Sequence, residues 1–232
     1  MHSLPAGYRA VVVGASGAIG AAIVSQLEAD SHCAEVIALN RKSEPPIDFT
    51  DEGTIERAAS ALRSSGEFRL LIIATGVLHS DTLKPEKRLG DISHDNLLHS
   101  FIVNALGPAI VLKHFLPLMP RHGRSLTGVL SARLGSIGDN HLGGWYSYRV
   151  SKAALNMMIR TTAIEWLRTH PEALIAALHP GTVSSALSAP FRKTDNLFLP
   201  VQAANNLLKV LDELRPQDSG SFFAYDGSHI PW

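Results

Sequence analysis

The segment VLSARLGSIGDNHLGGWYSYRVSK, residues 129–152, sets a tyrosine and a lysine four residues apart, Tyr148 and Lys152. On a helix, positions i and i+4 share a face one turn apart, so both side chains can meet one ligand. A free phenol titrates near ~10, too high for ready proton transfer at neutral pH. A neighbouring ammonium favours the phenolate and draws that value down. The pair is therefore equipped to act as a tuned general acid toward a carbonyl, or as a base toward an alcohol. The plainer reading is a surface Tyr and Lys that happen to be so spaced. Upstream stand two hydroxyls, Ser131 and Ser136, with Ala132 between them.

A second group of residues suits a nucleotide. The apolar run Ala10–Val13 leads into VGASGAIG, Val13–Gly20, and then into a helix-like segment. A dinucleotide pyrophosphate needs a tight turn, close backbone approach and the free N–H groups of a helix N-terminus. Gly14, Ser16, Gly17, Ala18, Ile19 and Gly20 are the candidates for that cradle. Glycines also build ordinary βα turns, but a strand before and a helix after strengthen the nucleotide reading. The second strand ends VIALNRK. A ribose with a free 2′-hydroxyl is usually met there by an acidic side chain, and the sequence has Asn40, Arg41 and Lys42 instead. A guanidinium can grip a 2′-phosphate through paired hydrogen bonds, so NADP(H) is favoured over NAD(H). Asp48, in IDFTDE, could accept from the adenine amino group or simply cap the helix beginning near Thr50.

These residues need elements to position them. Short apolar runs alternate with longer helix-like segments. Strands are predicted at Ala10–Val13, Val36–Leu39, Leu70–Ala74, around Gly128–Leu130, at Leu174–Leu178 and at Ser221–Ala224. Helices are predicted at Ala18–Glu28, Asp51–Arg63, His94 to about Met119, Tyr146–Arg168 and Val201–Leu214. Strands apolar on both faces, alternating with helices, imply a parallel sheet covered on both sides. The expectation is an α/β chain in which residues 1–232 form one Rossmann-like, doubly wound domain. The candidate residues follow strands, so they can converge at one edge of the sheet.

Composition narrows the function. With 45% hydrophobic and 18% charged residues, the 232-residue chain can build a sizeable core. Twenty-one basic side chains balance twenty-one acidic ones, unlike the basic excess of a nucleic-acid binder. The eleven histidines are scattered without metal-ligand spacing, so no metal site is expected. Cys33 is the only cysteine. An intrachain disulfide is thus impossible, which fits a reducing compartment. The N-terminus shows no signal-peptide pattern, and no apolar run in the sequence approaches the roughly 18–20 residues of a bilayer span. A soluble, cytoplasmic protein is expected.

Taken together, the motifs resemble the short-chain dehydrogenase/reductase family along essentially the whole chain. The specific elements are Tyr148-Arg-Val-Ser-Lys152, Asn104 within FIVNALGP, and His179-Pro-Gly-Thr-Val. LGSIGDNHLGGWYSYRVSKAALN, HPGTVSSALSAPF and the closing YDGSHIPW make the chain most similar to the C-factor and sniffer-like carbonyl reductase subgroup. The resemblance implies an NAD(P)-dependent oxidoreductase with an Asn-Ser-Tyr-Lys tetrad. It implies that Tyr148 exchanges the proton, that Lys152 holds the nicotinamide ribose, and that Asn104 binds a water linking Lys152 to solvent. Gly14, Ala18 and Gly20 occupy the family's TGxxxGxG positions, with Val13 and Ala18 departing from the pattern. Ile73-Ala74-Thr75-Gly76 stands where the family has NNAG, which keeps the small residues Ala74, Thr75 and Gly76 beside the adenine ribose. Pro180, Gly181 and Val183 match its loop over the nicotinamide. By the same resemblance, the long helices at 94–119 and 146–168 would pair in a homodimer or homotetramer, unless the core consumes them wholly.

The serine departs from the pattern. Aligning LGSI and the tyrosine puts the family's serine position at Ala132. Adjacent strand residues face opposite ways, so Ser131 could serve only through a bulge or register change. Ser136 could reach back from the loop, or no serine acts. Substrate choice should lie in Leu78–Gly90, Ser136–Trp145 and Ser184–Leu199, whose Leu83, Trp145, Leu187, Phe191 and Phe198 suit an apolar or aromatic carbonyl compound. Two functions stand: an NADPH-dependent reductase of a small ketone or aldehyde, and a weakly or non-catalytic NADP-binding signalling protein of C-factor type.

Overall fold

A computed structural model of the chain describes residues 1–80, 83–191 and 197–232, with the side chain of Phe191 outside that description. The strands are β1 (Tyr8–Val13), β2 (Cys33–Leu39), β3 (Leu70–Ile73), β4 (Ser125–Leu130), β5 (Ala173–His179) and β6 (Phe222–Ala224). Between them lie the helices α1 (Ala18–Glu28), α2 (Glu52–Arg63), α3 (His94–Phe101), α4 (Gly107–Phe115), α5 (Tyr146–Trp166) and α6 (Pro200–Glu213). All six strands run parallel, in the order β2-β1-β3-β4-β5-β6. The order reverses between β1 and β3. Their C-terminal ends open the crevice where ligands of such sheets bind.

Both sheet faces are covered, as strands apolar on both sides require. One face packs on α2, α4 and α5 through Ile55, Leu62, Leu112, Phe115, Leu155 and Ile159. The other packs on α1 and α6 through Ile23, Leu27, Leu207 and Leu211. Each side chain of this size contributes roughly 1.5–3 kcal/mol when fully buried. On α5 the buried positions Tyr148, Lys152, Leu155, Ile159 and Ala163 form one stripe. The same apolar contacts that dock this helix therefore fix where Tyr148 and Lys152 sit.

The expected elements form, with ends moved by a residue or a few. The cap of α2 is Asp51, which accepts from Gly53 N–H at 2.9 Å. The long helix expected from His94 is broken at Ile102–Leu106 by a π-helical turn. Pro108 has no N–H to return to the carbonyl of Asn104 four residues back. The pairing widens there, and Gly107 N–H bonds the carbonyl of Ile102. The stretch His94–Leu118 is also long and apolar enough, by length and composition, to cross a membrane, contrary to the reading of the sequence. Half of its apolar window is buried within the fold, as in the core helix of a packed sheet.

Candidate active site

Tyr148 and Lys152 lie one turn apart on the buried stripe of α5, and both side chains are enclosed. Lys152 is only 2% exposed, and its Nζ donates to the carbonyl of Leu130, at the end of β4, at 3.0 Å. Burial pulls its ammonium down to about 7. Burial likewise pushes the Tyr148 phenol up. This corrects the expectation of a lowered tyrosine. Desolvation of the phenolate dominates, and the amine meant to oppose it is itself desolvated and turned to Leu130.

Asn104 sits in the π turn, fully buried. Its Oδ1 accepts from Val77 N–H at 2.8 Å, and its Nδ2 donates to the Val77 carbonyl at 2.9 Å and to Ser151 Oγ at 3.0 Å. Ser151 Oγ in turn donates to the carbonyl of Tyr148 at 2.9 Å. The amide thus ties the chain leaving β3 to the first turns of α5. π turns recur at functional sites, and here the turn brings Asn104 to Gly76 and Lys152. A Cβ built on Gly76 would lie 3.4 Å from Asn104 Oδ1 and 3.5 Å from Lys152 Nζ.

The serines resolve against the tetrad. β4 pairs with β5 residue for residue through Leu130–Leu178, and Ser131 N–H continues the ladder to the Leu178 carbonyl at 2.8 Å. Ala132 is fully extended. With the ladder regular, Ser131 is not turned toward Tyr148. Its hydroxyl donates to Asn156 Oδ1 at 2.6 Å, two turns farther along α5. Ser136 donates to the carbonyl of Pro231 and accepts from Asp139 N–H. Against Tyr148 lies Ala132, in an apolar cluster completed by Leu78, Leu134 and Trp145.

The nucleotide candidates line a cleft of about 510 Å³ at the β1/β3 crevice. Gly14, Ser16, Gly17, Asn40, Arg41, Asp48, Ala74, Thr75 and Gly76 all border it. Ala18, Ile19 and Gly20 form the first turn of α1, whose N-cap Gly17 gives it no side-chain cap. A side chain at Gly20 would run into the Gly14 carbonyl, so the loop lies tight against the helix. Thr75 Oγ1 is buried without a partner in the structure. An uncapped helix start, a backbone cradle and an orphaned hydroxyl are what a nicotinamide dinucleotide would satisfy, and the residues present fit one. Asp48 accepts from Thr50 N–H and Oγ1, and the Arg41 guanidinium helps hold its carboxyl down. Pro180, Gly181 and Val183 follow β5, and Gly181 is pinned in a left-handed conformation against Phe198 and Tyr225.

Sequence reasoning overlooked Phe49, His99 and Val103, which also border the cleft. His99 comes from α3 and Val103 from the π turn that follows it, and no local spacing marks them. Among the expected substrate-facing residues, Trp145 meets Tyr148 edge-on, with ring centroids 6.4 Å apart. Leu83 is buried and Phe198 is engaged with Tyr225, so neither is an open wall. His79 Nε2 bonds the carbonyls of Ala186 and Leu187, joining two of the three expected substrate segments.

A family model described as enoyl-(acyl carrier protein) reductase matches residues 10–225. The 1-hydroxy-2-glutathionyl-2-methyl-3-butene dehydrogenase of Rhodococcus sp. (strain AD45) is 32% identical over 86% of this chain and 84% of its own. The C-signal protein of Myxococcus xanthus is 35% identical over 62% of this chain and 83% of its own. Among solved structures, a chain from Burkholderia multivorans assigned to the short-chain dehydrogenase/reductases, with bound NADP, superposes with a TM-score of 0.79 at 26% identity, over 97% of this chain and 99% of that one. NADPH-bound carbonyl reductase from chicken fatty liver shares the fold, with a TM-score of 0.83 at 24% identity over 99% and 100% of the two chains. The chain belongs to the short-chain dehydrogenase/reductase family of oxidoreductases.

Proposed function

We propose that the chain is an NADP(H)-dependent oxidoreductase that interconverts a small, largely apolar ketone or aldehyde and its alcohol. The observation that carries this is the continuity of the nucleotide cleft with the buried pair: Gly76 borders the cleft and stands beside both Asn104 and Lys152. In this reading the first turn of α1 holds the pyrophosphate, Arg41 the 2′-phosphate and Asp48 the adenine. Thr75 and Gly76 lie along the adenine ribose, and Lys152 holds the nicotinamide ribose. Pro180, Gly181 and Val183 border the nicotinamide. The chemistry the cofactor supplies when bound is hydride exchange with the carbonyl carbon. Tyr148, kept protonated by burial, hands its proton to the carbonyl oxygen as the alcohol forms, and receives one in the reverse direction. The named substrate of the Rhodococcus relative is an alcohol, so that direction is part of the proposal.

Leu78, Ala132 and Trp145 around Tyr148 support an apolar substrate end. Cytoplasmic location belongs to the same proposal, on the strength of the lone Cys33. The test is a panel of aliphatic and aromatic carbonyls, each offered with NADPH and with NADH. The expected result is NADPH oxidation matched by alcohol formed, with NADH slower. No oxidation with any member would refute the reductase, and faster use of NADH would refute the role of Arg41. Ala132 against Tyr148, together with the likeness to C-signal, supports one rival: an NADP-binding signalling protein of little activity. For it, the cofactor would bind and the panel would stay silent.

A further inference from the structure

Helix α5 begins without a cap of its own. Its N-cap residue, Trp145, offers no side-chain acceptor to the first turn, whose N–H groups need partners from elsewhere. Trp145 is also left-handed, with φ of 53°, the one non-glycine residue so placed among those described. It follows Gly143 and Gly144, at φ of 63° and 66°. Such a conformation is strained for a bulky residue and persists only where its surroundings impose it.

Glu86, from the loop between β3 and α3, imposes it. Its carboxylate accepts from Ser147 N–H at 3.1 Å and from the Ser147 hydroxyl. Its main-chain carbonyl accepts from Trp145 N–H. From the other side, Arg149 donates to the carbonyls of Gly143, Gly144 and Leu134. Glu86 is 3% exposed, a depth at which an acidic side chain needs hydrogen-bond partners. An acidic group is also the favoured sign at a helix N-terminus. The next residue after Ser147 is Tyr148, and the ring resting edge-on against it is that of Trp145.

We propose that Glu86 is a positioning residue for Tyr148. It caps the catalytic helix from a neighbouring loop and holds the left-handed turn that aims the Tyr148 phenol and the Trp145 ring. The inference rests on the reading of Tyr148 as the proton donor. It also ties the segment between β3 and α3 to the helix carrying Tyr148.

The test compares Glu86→Ala, Glu86→Gln and Ser147→Ala with the unaltered chain. Three quantities are measured: steady-state carbonyl reduction, NADPH affinity, and hydrogen exchange at the Trp145 and Ser147 amides. Glu86→Ala is expected to lower kcat about ten- to a hundredfold, the scale of a misplaced catalytic group, with NADPH affinity held within about twofold and faster exchange at both amides. Glu86→Gln, which keeps an acceptor of equal reach, should recover most of kcat. Ser147→Ala should lose severalfold, and it decides the matter if Glu86→Ala does not fold. A lower melting temperature with unchanged kcat per folded molecule would overturn the proposal, as would unchanged exchange at Trp145. No turnover by the unaltered chain would sink the Tyr148 reading and this inference with it, whereas a failure confined to the variants sinks only the role of Glu86.

Discussion

At position 132, packed against Tyr148, a methyl group stands where the proposed reaction would be served by a hydroxyl donor to the developing oxyanion. One such donor is worth ~2.7–4 kcal/mol of barrier. Ala132→Ser should therefore raise kcat for carbonyl reduction by about a hundredfold or more, and lower the melting temperature, because a hydroxyl enters an apolar cluster. Steady-state kinetics beside a thermal melt checks both, and an unchanged kcat would mean the carbonyl does not lie against residue 132. Lys152 carries a pH signature. Its folded value near 7 lies below the ordinary 10.5, so between those values the unfolded chain binds the extra proton. Stability should then rise with pH from about 7 to 10, and Lys152→Met should flatten that slope in denaturant titrations at several pH values. The Tyr–Lys pair was legible in the sequence because i, i+4 spacing is local. The direction of Ser131 was not, since its partner Asn156 lies 25 residues on. The upward shift of Tyr148 was hidden for the same reason: it depends on an enclosure that only the folded chain creates.

The elements were legible wherever one face is apolar, as in α5, where the periodic positions Leu155, Ile159 and Ala163 bury against the sheet. Their irregularities were harder to read, although Pro108 carries the cause of the π turn in plain view. The loop after β4 lies against α5 because Gly135 has no side chain. A Cβ there would stand 2.7 Å from Lys152 Cβ and 2.8 Å from its carbonyl carbon. Gly135→Ala should lower stability by about 1–3 kcal/mol, as overpacking does, and weaken NADPH binding by shifting Lys152. Calorimetry and fluorescence titration read the two effects, and a variant equal to the parent in both would show that the loop can retreat without cost to the site. The cap supplied by Glu86 left no local signal, because it joins elements 61 residues apart.

For the molecule as a whole, the parallel order and the β1/β3 crevice follow from strands apolar on both faces, and they gather residues from every third of the chain. Beyond the core, Leu98, Phe101 and Leu106 on one helical stretch and Val150, Met157 and Ile164 on α5 remain exposed. We propose that they pair about a two-fold axis. Light scattering should then give two or four times the 25.0 kDa of the chain, and Met157→Glu should yield a monomer; a monomeric parent would refute the assembly. The central claim is that Tyr148, one helical turn from the Lys152 that adjoins Gly76 of the nucleotide cleft, delivers the proton in carbonyl reduction. Its most direct test is kcat for NADPH-dependent reduction in Tyr148→Phe, with cofactor affinity measured alongside. The account predicts a loss of about 10²–10⁴-fold in kcat, the range for a removed general acid, with NADPH still bound within severalfold of the parent. Turnover by the phenylalanine variant equal to that of the parent would contradict it.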